Sequence, residues 1–230
     1  MIDRAWTVVE PSLPALTLTY SFGPGIANAL ALTVEGGVVL VSPPTNPTDA
    51  VFAEIEKRGP VRALIAPNGF HHLGLNAWKE RAPNAPIFAP AQSIARIEKK
   101  SKLTGIRPLA DAADIVGKRI ELIDMPHYKT GEVLVRWPID GGWAWYVTDV
   151  VMNITKPLKG LFGMIFRTTR STPGLRRNAI AGAFMLKDKR ALYAWLAEQA
   201  DKTPPKLLVM CHGEHVRPAD PAREVRAALA

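Results

Sequence analysis

The chain has 230 residues, 47% hydrophobic and 22% charged, which excludes a disordered or fibrous protein and leaves enough apolar surface to bury a sizeable core. Its one cysteine, Cys211, excludes a disulfide framework within the chain and suits a reducing compartment. The net charge of +8 sits in one stretch: between Lys156 and Arg190 nine cations face a single anion, Asp188, so the rest of the chain is neutral.

The N-terminus, Met1-Ile2-Asp3-Arg4-Ala5-Trp6-Thr7, has no basic head leading into a long apolar stretch, and no apolar run approaches a bilayer span. A soluble, cytoplasmic protein is expected. Leu16–Tyr20 alternates apolar and hydroxyl residues, as a half-exposed strand does. Ala29–Val34 and Val38–Val41 flank Glu35-Gly36-Gly37 and read as a hairpin, which Pro43-Pro44 stops. Pro47 or Thr48 opens a helix that Gly59 closes, with Val51, Phe52 and Ile55 on one face. Arg62–Ala66 reads as a short strand. Leu75–Arg81 and Ala91–Lys100 read as helices, and Arg119–Ile123 as a strand. Val133–Ile139 and Trp143–Thr148 flank Asp140-Gly141-Gly142 as a second hairpin. Lys187–Lys202 is a helix with Leu192, Trp195 and Leu196 at helical spacing, Lys206–Met210 a buried strand and Pro221–Leu229 a last helix. Early hairpins followed by helices between further strands call for sheets covered by helices.

The candidate chemistry gathers at strand ends. Leu64-Ile65-Ala66 leads to His71-His72, Ile120–Ile123 to Met125-Pro126-His127, Trp143–Thr148 to Asp149, and Leu207–Met210 to Cys211-His212-Gly213. Ligands collect outside the carboxyl ends of strands in α/β sheets, and imidazole with carboxylate suits zinc, iron or manganese. Taken singly, each histidine reads as a surface or core residue, and Asp149 as a cap. Agreement among four segments is what points to a site. His215 reads as a surface residue or a support to a ligand. Cys211 reads as a small buried hydrophobe rather than as the nucleophile of a cysteine–histidine pair.

These residues resemble the metallo-β-lactamase superfamily over nearly the whole chain. Asn28–Ser42 is similar to its opening hairpin, and Ala66–Gly74 stands where the family has H-x-H-x-D-H-x-G. Pro126-His127-Tyr128-Lys129-Thr130-Gly131 is similar to P-G-H-T-x-G, Tyr146-Val147-Thr148-Asp149 to the G-D strand end, and Cys211-His212-Gly213 to the final H-G. The pattern is degenerate. The first two motif histidines fall on Pro67 and Gly69, the motif aspartate on His71 and the last motif histidine on His72. The aspartate that usually ends the opening hairpin is Ser42. The resemblance implies an α+β fold, a four-layer αββα sandwich, in one domain spanning 1–230.

It further implies a metal-dependent, hydrolase-like protein with at most one divalent ion, zinc first and iron or manganese next. The ligands would be His72, Asp149 and His212, then His127 and His71. A water on the ion would be the nucleophile, attacking an ester, lactone, thioester or phosphoester. His71 alternatively supports a ligand by hydrogen bonding, since neighbouring side chains on a regular strand face opposite ways. The basic segment at about 156–190 is open to three readings: a solvated surface, a lid drawing a small anionic substrate to Arg167, Arg170, Arg176 and Arg177, or a membrane-surface patch. Nucleic acid is disfavoured as a partner. The contrasting expectation is a non-catalytic relative without the metal, binding an anionic ligand, a partner or a membrane surface through that segment.

Overall fold

The computed structural model describes residues 5–13, 15–23, 25–156, 158 and 160–230. Lys159 of the basic segment lies outside them.

Strands β1 (Thr7–Glu10), β2 (Ala15–Phe22), β3 (Gly25–Val34) and β4 (Gly37–Val41) pair antiparallel in chain order. The chain then crosses over through α1 (Asp49–Glu56) to β5 (Val61–Ile65), through α2 (Leu75–Arg81) to β6 (Ile87–Ala89), and through α3 (Ala91–Ser101) to β7 (Arg107–Pro108). These last strands pair parallel and complete a seven-stranded sheet. Parallel neighbours need such crossovers, which explains why helices enter the sequence only after the hairpins. Thr48 caps α1 by accepting a hydrogen bond from Val51 N on its side chain, as a residue of its type before an apolar-periodic run should.

After the short helix α4 (Ala113–Val116) come β8 (Glu121–Asp124), β9 (Val133–Ile139) and β10 (Gly142–Val147), and late in the chain β13 (Pro205–Met210). They form a four-stranded sheet in the order β13-β10-β9-β8, with β10 and β13 parallel. Between β10 and β13 run β11 (Val151–Ile154), α5 (Gly160–Thr168), β12 (Gly174–Arg177), α6 (Ala179–Phe184) and α7 (Lys189–Lys202). The helix α8 (Pro221–Leu229) closes the chain, and β11 and β12 form a separate antiparallel pair.

The layering follows from period-two alternation. On β9, β10 and β13 the residues Val133, Val135, Trp137, Ala144, Tyr146, Leu207 and Val209 join the core shared with the seven-stranded sheet. Their neighbours Leu134, Trp145, Val147, Leu208 and Met210 face a second core with Leu192 and Leu196 of α7 and Val225 and Leu229 of α8. Helices α1 to α3 bury Phe52, Ile55, Leu75, Trp78 and Ile97 in the first core. Each such fully buried side chain stabilises the fold by about 1.5–3 kcal/mol. The result is the expected αββα sandwich.

The two sheets are also joined at the end where the candidate residues lie. Asn28 on β3 donates from its backbone to Cys211 O (2.7 Å) and from Nδ2 to Met210 O (2.8 Å) and Gly213 O (2.9 Å). Tyr146 OH in turn donates to Asn28 O (2.8 Å). The ends of β3, β10 and β13 are thereby fixed against one another.

Most elements fall where the periodicity puts them, and Leu75–Arg81 and Pro221–Leu229 match at both ends. The strand expected at Arg119–Ile123 lies at Glu121–Asp124. The short strands β1, β6 and β7, and β11, α5, β12 and α6, have no counterpart in the sequence reading. They are brief or mixed in polarity and carry too few repeats for a period to show.

Candidate metal centre

The site is built around Asp149, which follows β10. Its Oδ1 lies 3.1 Å from His212 Nε2 and its Oδ2 3.4 Å from His71 Nε2. Asn68 Nδ2 donates to Oδ2 at 2.7 Å and also to Glu132 Oε2 at 2.7 Å. The other Glu132 oxygen accepts from Asp149 N, again at 2.7 Å. Glu132 and Asn68 are fully buried, so Asn68 holds the Asp149 carboxylate and Glu132 its backbone N–H with little freedom to turn.

Each imidazole is oriented by a bond on its far nitrogen, the arrangement that supports metal-binding histidines. His212 Nδ1 lies 3.0 Å from Ile26 O, which leaves Nε2 for Asp149. His71 Nδ1 lies 2.8 Å from Ser42 Oγ, which is 2.9 Å from Tyr20 OH. Ser42 reaches this position with φ of +52° at the end of β4. The turn carrying His71 is set by Asn68, whose Oδ1 accepts from Phe70 N and His71 N. Gly74 closes the turn against Pro43, where a Cβ would stand 2.0 Å from the proline carbonyl oxygen.

Cys211, fully buried at the end of β13, completes the group with its Sγ 3.8 Å from His71 Nδ1. Among the described residues, His71, Cys211 and His212 are the one set of three potential ligands, with ligand atoms all within 4.8 Å of one another.

The charges are strongly coupled. Burial alone would raise Asp149, but His71 and His212 outweigh it and hold the carboxyl well below the usual range. Burial would lower both imidazoles, yet Cys211 and Asp149 hold His71 well above its ordinary value and His212 at about 9. Burial would raise Cys211, and the two imidazoles bring it down to about 7. Glu132 is pushed up to about 8 by burial and by Asp149, despite its bonds to Asp149 N and Asn68.

The five expected ligands separate into two groups. His71, Asp149 and His212 come together. His72, the next residue after His71, turns toward α3. Burial lowers its pKa first, with Arg96 and Lys100 adding to the effect, and its Nδ1 is buried without a hydrogen-bond partner. His127 is exposed with φ of +64°, and its carbonyl accepts from Lys187 N. The turn at 70–74 admits one imidazole of the adjacent pair, and it is His71 that enters. His215 is tied between the sheets, its Nε2 3.0 Å from Thr17 Oγ1 and its Nδ1 accepting from Met210 N.

A cavity of about 410 Å³ opens above the group. Phe22, Phe70, Leu73, Ile180, Phe184 and Met185 form its walls, with His71, Asp149 and His212 among its lining residues. Among the described residues no lysine or arginine lines it. Arg167, Arg170 and Arg176 are exposed, and Arg177 donates to the carbonyl oxygens of Leu229 and Ala230 at the end of α8.

The sequence matches no family model and no curated protein. Solved structures do match over 98% of the chain. One is a metallo-β-lactamase from Pontibacter korlensis, at TM-score 0.64, 12% identity and 98% of that chain covered. Another is the DIM-1 metallo-β-lactamase, at 0.62, 14% and 96%. A third is the metallo-β-lactamase FIM-1 from Pseudomonas aeruginosa in its mono-zinc form, at 0.62, 11% and 94%. The chain has the metallo-β-lactamase fold. At these identities the likeness is one of architecture, and the residues must speak for the site.

They fit a metal. In tetrahedral zinc the nitrogen and sulfur ligands stand roughly 3–4 Å apart, from bond lengths of about 2.0–2.3 Å. The three candidate ligand atoms stand within 4.8 Å of one another and the thiol faces His71 Nδ1, so closing on an ion would take that nitrogen from Ser42 as well as drawing the side chains together. A thiolate beside two imidazoles also suits zinc better than manganese or magnesium. Cys211 as a ligand candidate, and Asn68 and Glu132 as supports, were not singled out from sequence. Cys211 continues an apolar strand and looks like core. A glutamate opening the otherwise apolar run Val133-Leu134-Val135 was the available signal for Glu132.

Proposed function

We propose that this metallo-β-lactamase-fold chain is a metal-dependent, hydrolase-like protein with one ion. His71, Cys211 and His212 would hold that ion, with Asp149 beside them. The substrate would be a neutral ester, lactone or thioester with an apolar acyl part. The observation that carries this reading is the convergence of two imidazoles, a thiol and a carboxylate beneath an apolar cavity.

A divalent ion bound there supplies Lewis acidity toward a substrate carbonyl and lowers the pKa of water. The remaining work falls to the chain. Ile26 O fixes the far nitrogen of His212, both Nε2 atoms face Asp149, and Ser42 Oγ holds His71 Nδ1, the nitrogen beside Cys211 that an ion would take. Asn68 and Glu132 hold Asp149 in place. Phe22, Phe70, Ile180 and Phe184 take the acyl part and exclude water, which strengthens every electrostatic interaction inside. The uncharged walls favour carboxylic esters over phosphoesters. Arg167, Arg170 and Arg176 remain available to an anionic partner outside the cavity.

A second reading has a specific observation behind it. Asp149 already pairs with both histidines and Asn68, so the group is internally satisfied as a buried ionic network. A non-catalytic relative that holds its site shut in this way would act through segment 156–190.

Elemental analysis of protein purified without a histidine tag separates the two. About one equivalent of zinc, lost in a His71→Ala/His212→Ala double variant, supports the first reading. It justifies a screen of nitrophenyl esters of increasing acyl length. No metal in either protein after incubation with zinc would sink it.

A further inference from the structure

Among the described residues eight large apolar side chains are exposed, and their distribution is uneven. Phe70, Leu73 and Phe184, exposed by 43%, 58% and 75%, all line the cavity and form its rim. Leu158, Leu161 and Met164 lie in or beside α5, the last two 65% and 53% exposed. Helix α5 is tied to the cavity wall. Ser171 N donates to Phe166 O, and Ser171 Oγ accepts from Ala179 N at the start of α6, the helix that carries Phe184. Apolar tips on one side of a molecule mark a contact surface.

Cations stand among these tips. The Arg96 guanidinium lies 4.2 Å from the centroid of the Phe70 ring. The backbone N–H of Lys129 donates to the carbonyl of Met185, a cavity residue, and that of Lys187 to His127 O, so both chain segments are anchored at this wall and both residues are exposed. Arg167 lies in the last turn of α5 and Arg170 just beyond it, both exposed. Between Lys156 and Arg190 the only carboxylate is Asp188. A second copy of the chain would bring this basic face against itself, at an electrostatic cost. A bilayer with anionic headgroups neutralises it and covers the apolar tips at the same time.

We propose that the cavity mouth and α5 dock on an anionic lipid bilayer, with Leu73, Leu161 and Phe184 in the interfacial layer and Arg96, Arg167 and Lys187 on headgroup phosphates. The proposed contact is peripheral, made by exposed side chains; no helix among the described residues is long and apolar enough to cross a membrane. It places the cavity where molecules with long acyl chains reside.

The test is flotation of the full chain with vesicles of phosphatidylcholine alone or of phosphatidylcholine with phosphatidylglycerol. It is run on chelator-treated protein, so that it does not depend on the ion or on hydrolysis. Binding to the phosphatidylglycerol vesicles is expected, about tenfold or more above phosphatidylcholine alone, and weakened by salt. The exposed-site variants Leu161→Ser/Met164→Ser and Leu73→Ser/Phe184→Ser should each reduce it. Arg167→Glu/Arg170→Glu should abolish it, with circular dichroism confirming that each variant folds. The proposal is overturned by no flotation, by equal flotation with both vesicles, or by serine variants that bind like the parent chain. A dimer in sedimentation that Phe184→Ser dissociates would overturn it too, by giving the apolar rim to a second copy.

Discussion

Oδ1 of Asp149 lies 3.1 Å from Nε2 of His212, a contact that ties the carboxyl end of β10 to that of its parallel neighbour β13. It belongs to a network whose titratable members are shifted from their ordinary values, and stability of the metal-free protein should therefore depend on pH. His212 binds its proton up to about 9 when folded against an ordinary 6.5, and His71 is raised as well. Through these imidazoles the folded state carries more protons than the unfolded one between about 6.5 and 9, so their contribution to stability is full below that window and is lost as pH rises through it. Glu132 acts in the same direction from its ordinary 4.5 to about 8. Cys211, brought from 9.0 to about 7, opposes them over its own window. Two imidazoles outweigh one thiol. The melting temperature of chelator-treated protein should fall between pH 6.5 and 9, followed by circular dichroism. With zinc the gap to the metal-free protein should widen as pH rises, because the ion must displace those protons. A flat profile without metal would contradict the ionic network.

The support behind Asp149 makes a second expectation. Asn68 Nδ2 donates to both Glu132 and Asp149, and Asn68 is fully buried. Asn68→Ala leaves two buried carboxyl groups without that donor and should cost about 1–3 kcal/mol in urea unfolding. Asn68→Asp brings a third carboxylate to the same spot and should cost more, with the difference shrinking at low pH as the acids protonate. Equal costs for the two variants would mean that the loop packing matters and the hydrogen bonds do not.

The fold was legible in the sequence to an extent that the site was not, and the reason is periodicity. Leu75–Arg81, Val133–Ile139 and Pro221–Leu229 repeat their polarity often enough to declare their type and ends. So did the positions of the strand ends, which is why Asp149 and His212 stood out. The choice between His71 and His72 has no periodic signature. It is made by Ser42, 29 positions earlier, whose hydroxyl takes His71 Nδ1, and by Asn68, which turns the loop through its own side chain. Such pairings are contacts between distant segments, visible only once the sheets are assembled. Cys211 was hidden in the opposite way. Its strand ends in the continuous apolar run Leu207-Leu208-Val209-Met210, so the thiol that follows reads as one more core residue.

Gly213 follows His212 with φ of +100°, and a Cβ there would stand 1.9 Å from Asn153 O. Its carbonyl accepts from Asn28 Nδ2, so it cannot move without loosening the bond between the sheets. Gly213→Ala should destabilise the fold by about 2–4 kcal/mol from strain and overpacking together. Metal affinity should fall with stability, because His212 is displaced. A variant that unfolds more easily but binds zinc unchanged would show that His212 is positioned by Ile26 and Asp149 alone.

The decisive comparison is between adjacent histidines. His71 lies 3.4 Å from Asp149 and within the ligand group, whereas His72 faces Arg96 and Lys100 with its Nδ1 unpaired. His71→Ala should remove most bound zinc, and His72→Ala should leave about one equivalent in place. Cys211→Ser provides an independent readout: cobalt substituted into the parent chain should give a sulfur-to-metal charge-transfer band in the near ultraviolet, and the serine variant should lose it. Retention of metal by His71→Ala with loss in His72→Ala would move the centre to the other side of the loop. It would require the turn at 70–74 to swing His72 inward when the ion binds. Gly74 opposes that motion, packed with no room for a Cβ against the carbonyls of Pro43 and Pro44.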